Sequence, residues 1–511
     1  MKRHALFIKF SNNTIMRGIH FSWKSTPKNW TVRQSLMQGF LVMVLGVSTN
    51  LILIGEVEAW ERITHRELTE NVIDVVAPNL NPYLSNSLGL ESGLNSTVDG
   101  MTVKQWMMEG SDLEDGEGMN VSSISGALSF GRPLNHFHEP IANSGLGHVF
   151  LSAVDWSLAP LENQFPGGPF SWNDAREYYF KALTSPTKAE RDENWGKTFR
   201  TLGQIMHLIQ DSANPAHVRD DPHVFRDGLH DFMARRSVAS YTGAGIISPD
   251  SSLLEVAGAV REEPFSNLFD RNVYNGSNPE STLGIAVGVT EYANANFFSD
   301  DRIAGQNSPV PPYPSKAELI PAPAPSPYLT LSRLGSASFP GARVARFSGN
   351  KTLTQFLNLE FDLLGNLRLD DAVYDAYASH LIPRAVGYSA AVLDYFFRGD
   401  LRIQGSGQCY EPGLDATQFW VDFTPAHPSH YQGGQGFTLY FQDSNGLWVA
   451  EDFIPVREGS MRLTGGYTGS PSTVRLAVVY DGPLGPAGAV EARGIVAKAQ
   501  KITGFIDTCL Q

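Results

Sequence analysis

His207-Leu208-Ile209-Gln210-Asp211-Ser212-Ala213-Asn214-Pro215-Ala216-His217 gathers three side chains able to bind a metal within eleven residues. His207 and Asp211 are four apart, so on a helix they stack on one face. Phe199, Leu202, Met206 and Ile209 recur at helical spacing and supply the buried stripe of that helix. Gly203, one turn before His207, is expected to leave room beside the imidazole. Asn214-Pro215 ends the helix, because the residue before a proline is pushed out of the α region. The chain then turns, and His217 can swing back towards the other two. An isolated H-x-x-x-D is as well explained by a polar helix face. The added N-P-x-H favours a metal site.

The pattern His207-x3-Asp211-x5-His217 resembles the signature of bacterial zinc-dependent phospholipases C and of the related single-strand-specific fungal nucleases. That family carries an H-F-x-D/E-P segment upstream, and His136-Phe137-His138-Glu139-Pro140 matches it with His136 in the ligand position. It also has a glycine followed five residues on by a ligand aspartate, matched by Gly110 and Asp115, with Trp106 to Glu109 ending the helix that leads in. Alone, Asp115 reads as part of a solvated acidic loop with Asp112, Glu114 and Glu117. With His136 in register it reads as a ligand.

The family's mature chain begins with a tryptophan whose amino group and carbonyl bind zinc, and in the nucleases a histidine follows after four residues. Trp60 and His65 have that spacing. For Trp60 to serve, residues 1–59 must be removed. Leu36 to Gly55 is largely apolar, follows Lys24, Lys28 and Arg33, and ends in Val57-Glu58-Ala59, as a cleavable export signal does. An uncleaved anchor competes with this, because the apolar run is long for a signal core.

The resemblance implies three zinc ions. The first would take Asp115, His136, His207 and Asp211; the second Trp60, His65 and the other oxygen of Asp211. A carboxylate suits two cations about 3.5–4 Å apart, and the water between them becomes the nucleophile that attacks phosphorus. Asp115 would orient or deprotonate that water. The third zinc would take His217 and later residues. Here the chain departs from the family, which uses a second histidine and a carboxylate one helical turn apart. His223, Asp227, His230 and Asp231 all compete, with the set His217, His223 and His230 preferred.

The expected fold is mostly α: a multi-helix phospholipase C-like domain over 60–400, then a small β-sandwich over 401–511. Helices are predicted over His65–Val76, Asn173–Leu183, Arg191–Asp211, Thr282–Phe298 and Asp370–Phe397. Residues about 308–327, dense in proline, read as an extended surface insertion. After Leu401, Phe437–Phe441, Thr473–Tyr480 and Gly494–Ala499 read as strands. Some zinc phospholipases C use a C-terminal β-sandwich to reach membranes, and the layout is similar, though no motif here supports that use.

The 511-residue chain carries a net charge of −14, which argues against a stable nucleic-acid complex. Its two cysteines, Cys409 and Cys509, read as one disulfide of an exported protein, secreted or periplasmic. Closing that loop is worth roughly 4–5 kcal/mol on the chain-entropy model. Function is thus expected as phospholipase C-like hydrolysis of a phosphate ester, the alternative on the same fold being a nuclease or a phosphomonoesterase acting on small phosphate esters. The competing class is a zinc-stabilised binding protein without catalysis.

Overall fold

The computed structural model describes residues 62–511 except 116–131, 161–163, 165–167, 223–227, 301–302, 304–310, 324–325, 335–341, 348–366, 433–434, 443–447, 470–473, 503–508 and 510–511. Residues 1–59, read above as a leader, and Trp60, His223 and Asp227 lie outside the described residues.

The chain opens with helix α1 (Arg62–Ser87), a two-residue hairpin β1 (Thr97–Val98) and β2 (Met101–Thr102), and helix α2 (Val103–Leu113). Thr102 and Gln105 form a capping box that fixes where α2 starts. Next come α3 (Ala153–Leu158), α4 (Trp172–Thr184) and α5 (Lys188–Asp211). Thr187 and Glu190 cap α5 in the same way, so it begins three residues before the expected Arg191. From Thr201 onward α5 is buried on all sides, not along one stripe. It is the central helix, and α2 and α4 both pack on it.

Beyond Asp211 the chain turns through Asn214, which is extended (φ −86°, ψ 124°) and caps a one-turn helix α6 (Pro215–Val218). Asn214 is thus out of the α region, as a residue before proline is expected to be, and Pro215 also occupies the first position of a new turn, where its missing N–H is no loss. Short helices α7 (Gly228–Met233) and α8 (Ala239–Thr242) follow. The helix expected over Thr282–Phe298 is shorter, α9 (Val289–Asn296). A Cβ on Gly288 would stand 2.2 Å from the Phe269 carbonyl oxygen, and Gly288 gives its N–H to the Glu291 carboxylate as the helix cap. Glu291 also accepts from the amides of Arg271, Val273 and Tyr274, so it organises a buried loop and is more than core filling.

The proline-rich insertion runs into a feature absent from the sequence expectation, a sheet ordered β3 (Leu319–Pro321), β4 (Tyr328–Leu331), β5 (Ala342–Phe347), β6 (Leu367–Arg368). Pro321 sits on the edge strand β3, where a missing donor is tolerated. Helix α10 (Asp371–Phe396) covers this sheet, and the Tyr377 hydroxyl donates to the Val344 carbonyl.

Residues from Leu401 form two antiparallel sheets. One is ordered β10 (Trp448–Pro455), β9 (Gly436–Gln442), β12 (Val474–Leu484), β13 (Glu491–Ile502). The other is ordered β11 (Met461–Thr468), β8 (Ala416–Pro425), β7 (Leu401–Glu411). Phe419, Val421, Phe423, Leu439, Leu476, Val478 and Val496 fill the space between them. Strands β12 and β13 are apolar on both faces: Ala477, Val479, Ile495 and Ala497 point out of the sandwich into the helical core. Cys409 and Cys509 are joined. The architecture is a helical body followed by β-sheets, with more sheet than the expected mostly α fold.

At the junction, the buried Glu491 carboxylate accepts from Arg176 at 2.7 and 2.9 Å, from Trp172 Nε1 at 2.8 Å and from Arg398 at 2.5 Å. Among the described residues, no helix is long and apolar enough to cross a membrane.

Candidate metal centre

α2 and α5 cross at contact distance because each carries a glycine at the crossing. A Cβ on Gly110 would lie 2.0 Å from the Arg200 carbonyl oxygen, and one on Gly203 would lie 2.8 Å from the Ser111 nitrogen. Gly203 thus makes room for the backbone of α2, not for the imidazole of His207. The close crossing has a chemical result. The Ser111 carbonyl reaches His207 Nδ1 at 2.7 Å, so in the neutral ring that nitrogen donates and Nε2 keeps the lone pair.

The first turn of α1 brings in His65 the same way. Its Nδ1 donates to Gln210 Oε1 at 2.7 Å, and its ring stacks on that of His207 with centroids 3.6 Å apart. His65 Nε2 is left facing Asp211 Oδ1 at 3.2 Å. The other oxygen, Asp211 Oδ2, lies 2.8 Å from His136 Nδ1 and 3.0 Å from His207 Nε2. Asp115, two residues past α2, places Oδ1 3.4 Å from His207 Nε2 and 3.6 Å from His136 Nδ1. The ligand atoms of His65, Asp115 and His207, and those of His136, His207 and Asp211, each lie within 4.8 Å of one another. All five side chains are buried.

His217 adjoins this cluster. It donates from Nδ1 to the His136 carbonyl at 3.1 Å, stacks on Phe137, and holds Nδ1 3.8 Å from Asp211 Oδ2. His230, on α7, is half-buried and belongs to neither ligand group. Asp231 is exposed on the same helix.

The donor set fits a divalent cation. Both oxygens of Asp115, both of Asp211 and Nε2 of His65 are buried yet take part in no well-formed hydrogen bond. Leaving such groups unsatisfied costs roughly 1–3 kcal/mol each, more when charged. Imidazole nitrogen with carboxylate oxygen suits zinc and other first-row divalent ions. The electrostatics also favour positive charge here. Burial opposes ionisation of Asp211, but the imidazoles of His207, His217 and His65 outweigh it and hold the carboxyl well below the usual range. Burial likewise opposes a proton on His207, yet Asp211 and Asp115 raise its pKa well above the ordinary value.

The shell behind these residues leaves no mark in the sequence. Glu114, which looked like part of an acidic loop, is buried at the end of α2 with its Oε1 3.5 Å from His136 Nε2. It accepts from Arg132 Nη2 at 2.5 Å and from Trp156 Nε1 at 2.9 Å. Burial would raise its pKa, but Arg132, with His136 and His207, brings it down to about 2. Gln210 bridges His65 to the Thr69 hydroxyl. Spacing carries no signal for these residues, since their partners lie on other elements.

No family model and no curated protein matches this chain. Among solved structures, an alpha toxin from Clostridium absonum is 11% identical over 88% of this chain and 98% of its own, with a TM-score of 0.29. The alpha-toxin of an avian strain of Clostridium perfringens is 10% identical over 88% and 99%, with a TM-score of 0.26. So loose a likeness assigns nothing to the site.

Proposed function

We propose that the protein is an exported, zinc-dependent phosphoric ester hydrolase of phospholipase C type. The observation that carries this is the posture of Asp211, whose Oδ1 faces His65 while Oδ2 faces His136 and His207. A carboxylate that turns its two oxygens to two histidine sets is placed to bridge two cations. Asp115, His136, His207 and Asp211 would hold one zinc, and His65, Asp211 and the amino-terminal Trp60 a second. His217, with His223 and His230, would hold the third. When bound, zinc supplies a Lewis acid and lowers the pKa of water to about 7. Asp115 would orient the attacking water and receive its proton.

Two observations favour a lipid over a nucleic acid. Val149, Phe150 and Leu151 form an exposed apolar run, at 70%, 42% and 39% of full exposure. The run adjoins the His136 segment, since the Leu151 amide donates to Asn135 Oδ1. Nucleases stack bases on aromatic platforms, and of the described tryptophans in the helical part, Trp156, Trp172 and Trp195 are buried and Trp106 donates to the Val98 carbonyl within the fold, which leaves Phe150 as the exposed ring of the apolar run. A disulfide and an apolar leader agree with export.

The test is zinc content of the purified mature protein, with turnover on phosphatidylcholine, single-stranded DNA and bis(p-nitrophenyl) phosphate. Release of phosphocholine is expected, with Asp211→Asn losing both zinc and turnover. Preferential cleavage of DNA would move the protein to the nuclease branch. Bound zinc with no turnover on any of the three would leave a binding protein.

A further inference from the structure

We propose that Glu114 is a positioning residue that fixes the tautomer of His136, so that its Nδ1 lone pair faces Asp115 and Asp211. This inference rests on the zinc assignment and deepens it. His65 and His207 face the cluster with Nε2, because Nδ1 of each donates to a neutral oxygen, Gln210 Oε1 and the Ser111 carbonyl, both at 2.7 Å. His136 is turned the other way round. Its Nδ1 stands 2.8 Å from Asp211 Oδ2 and 3.6 Å from Asp115 Oδ1. A neutral imidazole carries one N–H. If Nδ1 is to offer a lone pair, the proton must sit on Nε2, and in a buried place that N–H needs an acceptor.

Glu114 Oε1 stands on that side, 3.5 Å from His136 Nε2, a buried nitrogen that makes no well-formed hydrogen bond and has this carboxylate within short reach. Glu114 is itself held. Arg132 Nη2 donates to Oε2 at 2.5 Å, Trp156 Nε1 donates to Oε1 at 2.9 Å, and the Arg132 guanidinium lies over the Trp156 ring at 4.9 Å. These donors commit both oxygens of Glu114, which sets it apart from Asp115 and Asp211, whose oxygens have no such partners. Adjacent residues therefore divide the work, Glu114 behind the imidazole and Asp115 in front of it. An ionised carboxylate behind a ligand histidine also makes the metal-facing nitrogen more basic than an amide or peptide carbonyl would.

The test uses Glu114→Ala, the near-isosteric Glu114→Gln and Trp156→Phe, each checked for folding by circular dichroism. In metal-free protein at about pH 9, above the ordinary histidine range, nitrogen-15 shifts of His136 should report the Nε2–H form in the wild type. The Nδ1–H form should gain population in Glu114→Ala. Zinc affinity should fall about 10–100-fold in Glu114→Ala, and less in Glu114→Gln and Trp156→Phe. A folded Glu114→Ala or Glu114→Gln with an unchanged His136 signature and wild-type zinc affinity would overturn the proposal. A wild type that binds no zinc would remove the zinc assignment, and the tautomer signature would still decide the role of Glu114.

Discussion

The carbonyl oxygen of Met107 lies 2.2 Å from where a Cβ on Gly203 would stand. A single methyl at position 203 must therefore part α2 from α5, and with them the Ser111 carbonyl from His207 Nδ1. Gly203→Ala should cost about 1–3 kcal/mol, as overpacking of a tight interior does, and should lower zinc content as well. Urea denaturation measures the first and metal analysis the second. Gly413→Ala, where the added methyl meets nothing within 4 Å, is the control and should stay within about 0.5 kcal/mol. Equal midpoints for both variants would refute the close crossing.

Chelation should destabilise the protein. Ions that bind the folded chain alone add about 4 kcal/mol at a thousandfold excess over their dissociation constant. Removing zinc should lower the melting temperature by several degrees, and adding it back should restore the loss. Asp211→Asn, with the bridge gone, should melt at one temperature with or without chelator. A wild type equally indifferent to chelator would count against a metal centre.

Activity should require an amino terminus at Trp60. A peptide nitrogen has given its lone pair to amide resonance, whereas a free α-amine with a pKa near 8 can bind a metal at neutral pH. An alanine placed ahead of Trp60 should cost the zinc shared by His65 and Asp211, and most of the turnover. Amino-terminal sequencing of the exported protein gives the cleavage site. Full activity in a form still carrying residues before Trp60 would identify the apolar leader as an anchor.

Glu491→Ala should be among the costliest single changes in the chain. It leaves Arg176 buried without its bidentate partner and strips Arg398 and Trp172 of an acceptor. Breaking one side of a buried pair costs about 3–5 kcal/mol. Calorimetry should show the helical and β parts melting together in the wild type and separating in Glu491→Ala. Two resolved transitions in the wild type would contradict this coupling.

What could be read from the sequence was local in the chain. His207 and Asp211 share a helix face, and Asn214-Pro215 announces a turn, so the centre of the site was legible from one stretch. His65, Asp115 and His136 were found only because they match a family pattern at fixed positions. The structure brings all three to His207. Glu114, Gln210 and Ser111 were invisible, because each acts through a partner on another element. The same holds for the sheet from β3 to β6. Its short strands are broken by prolines and pair across a long stretch, and the mixed pattern gives no strand period. The helix expected from Thr282 was too long because apolar spacing carried through Gly284 and Gly288, where the backbone departs from the helix.

Strand β12 looks two ways, with Leu476, Val478 and Tyr480 turned into the sandwich and Ala477 and Val479 turned towards the helices. Strands with both faces covered have no side left to offer a visitor. Any membrane or partner that meets the β-part must come to the opposite sheet of β7, β8 and β11, to the edge strand β10, where Phe453 stands exposed, or to a loop end such as that of Leu414. A swing of the β-part is closed off as well, since turning it away would strip the helices of their own floor. Whatever the sandwich contributes, it contributes from a fixed bearing relative to His207 and Asp211.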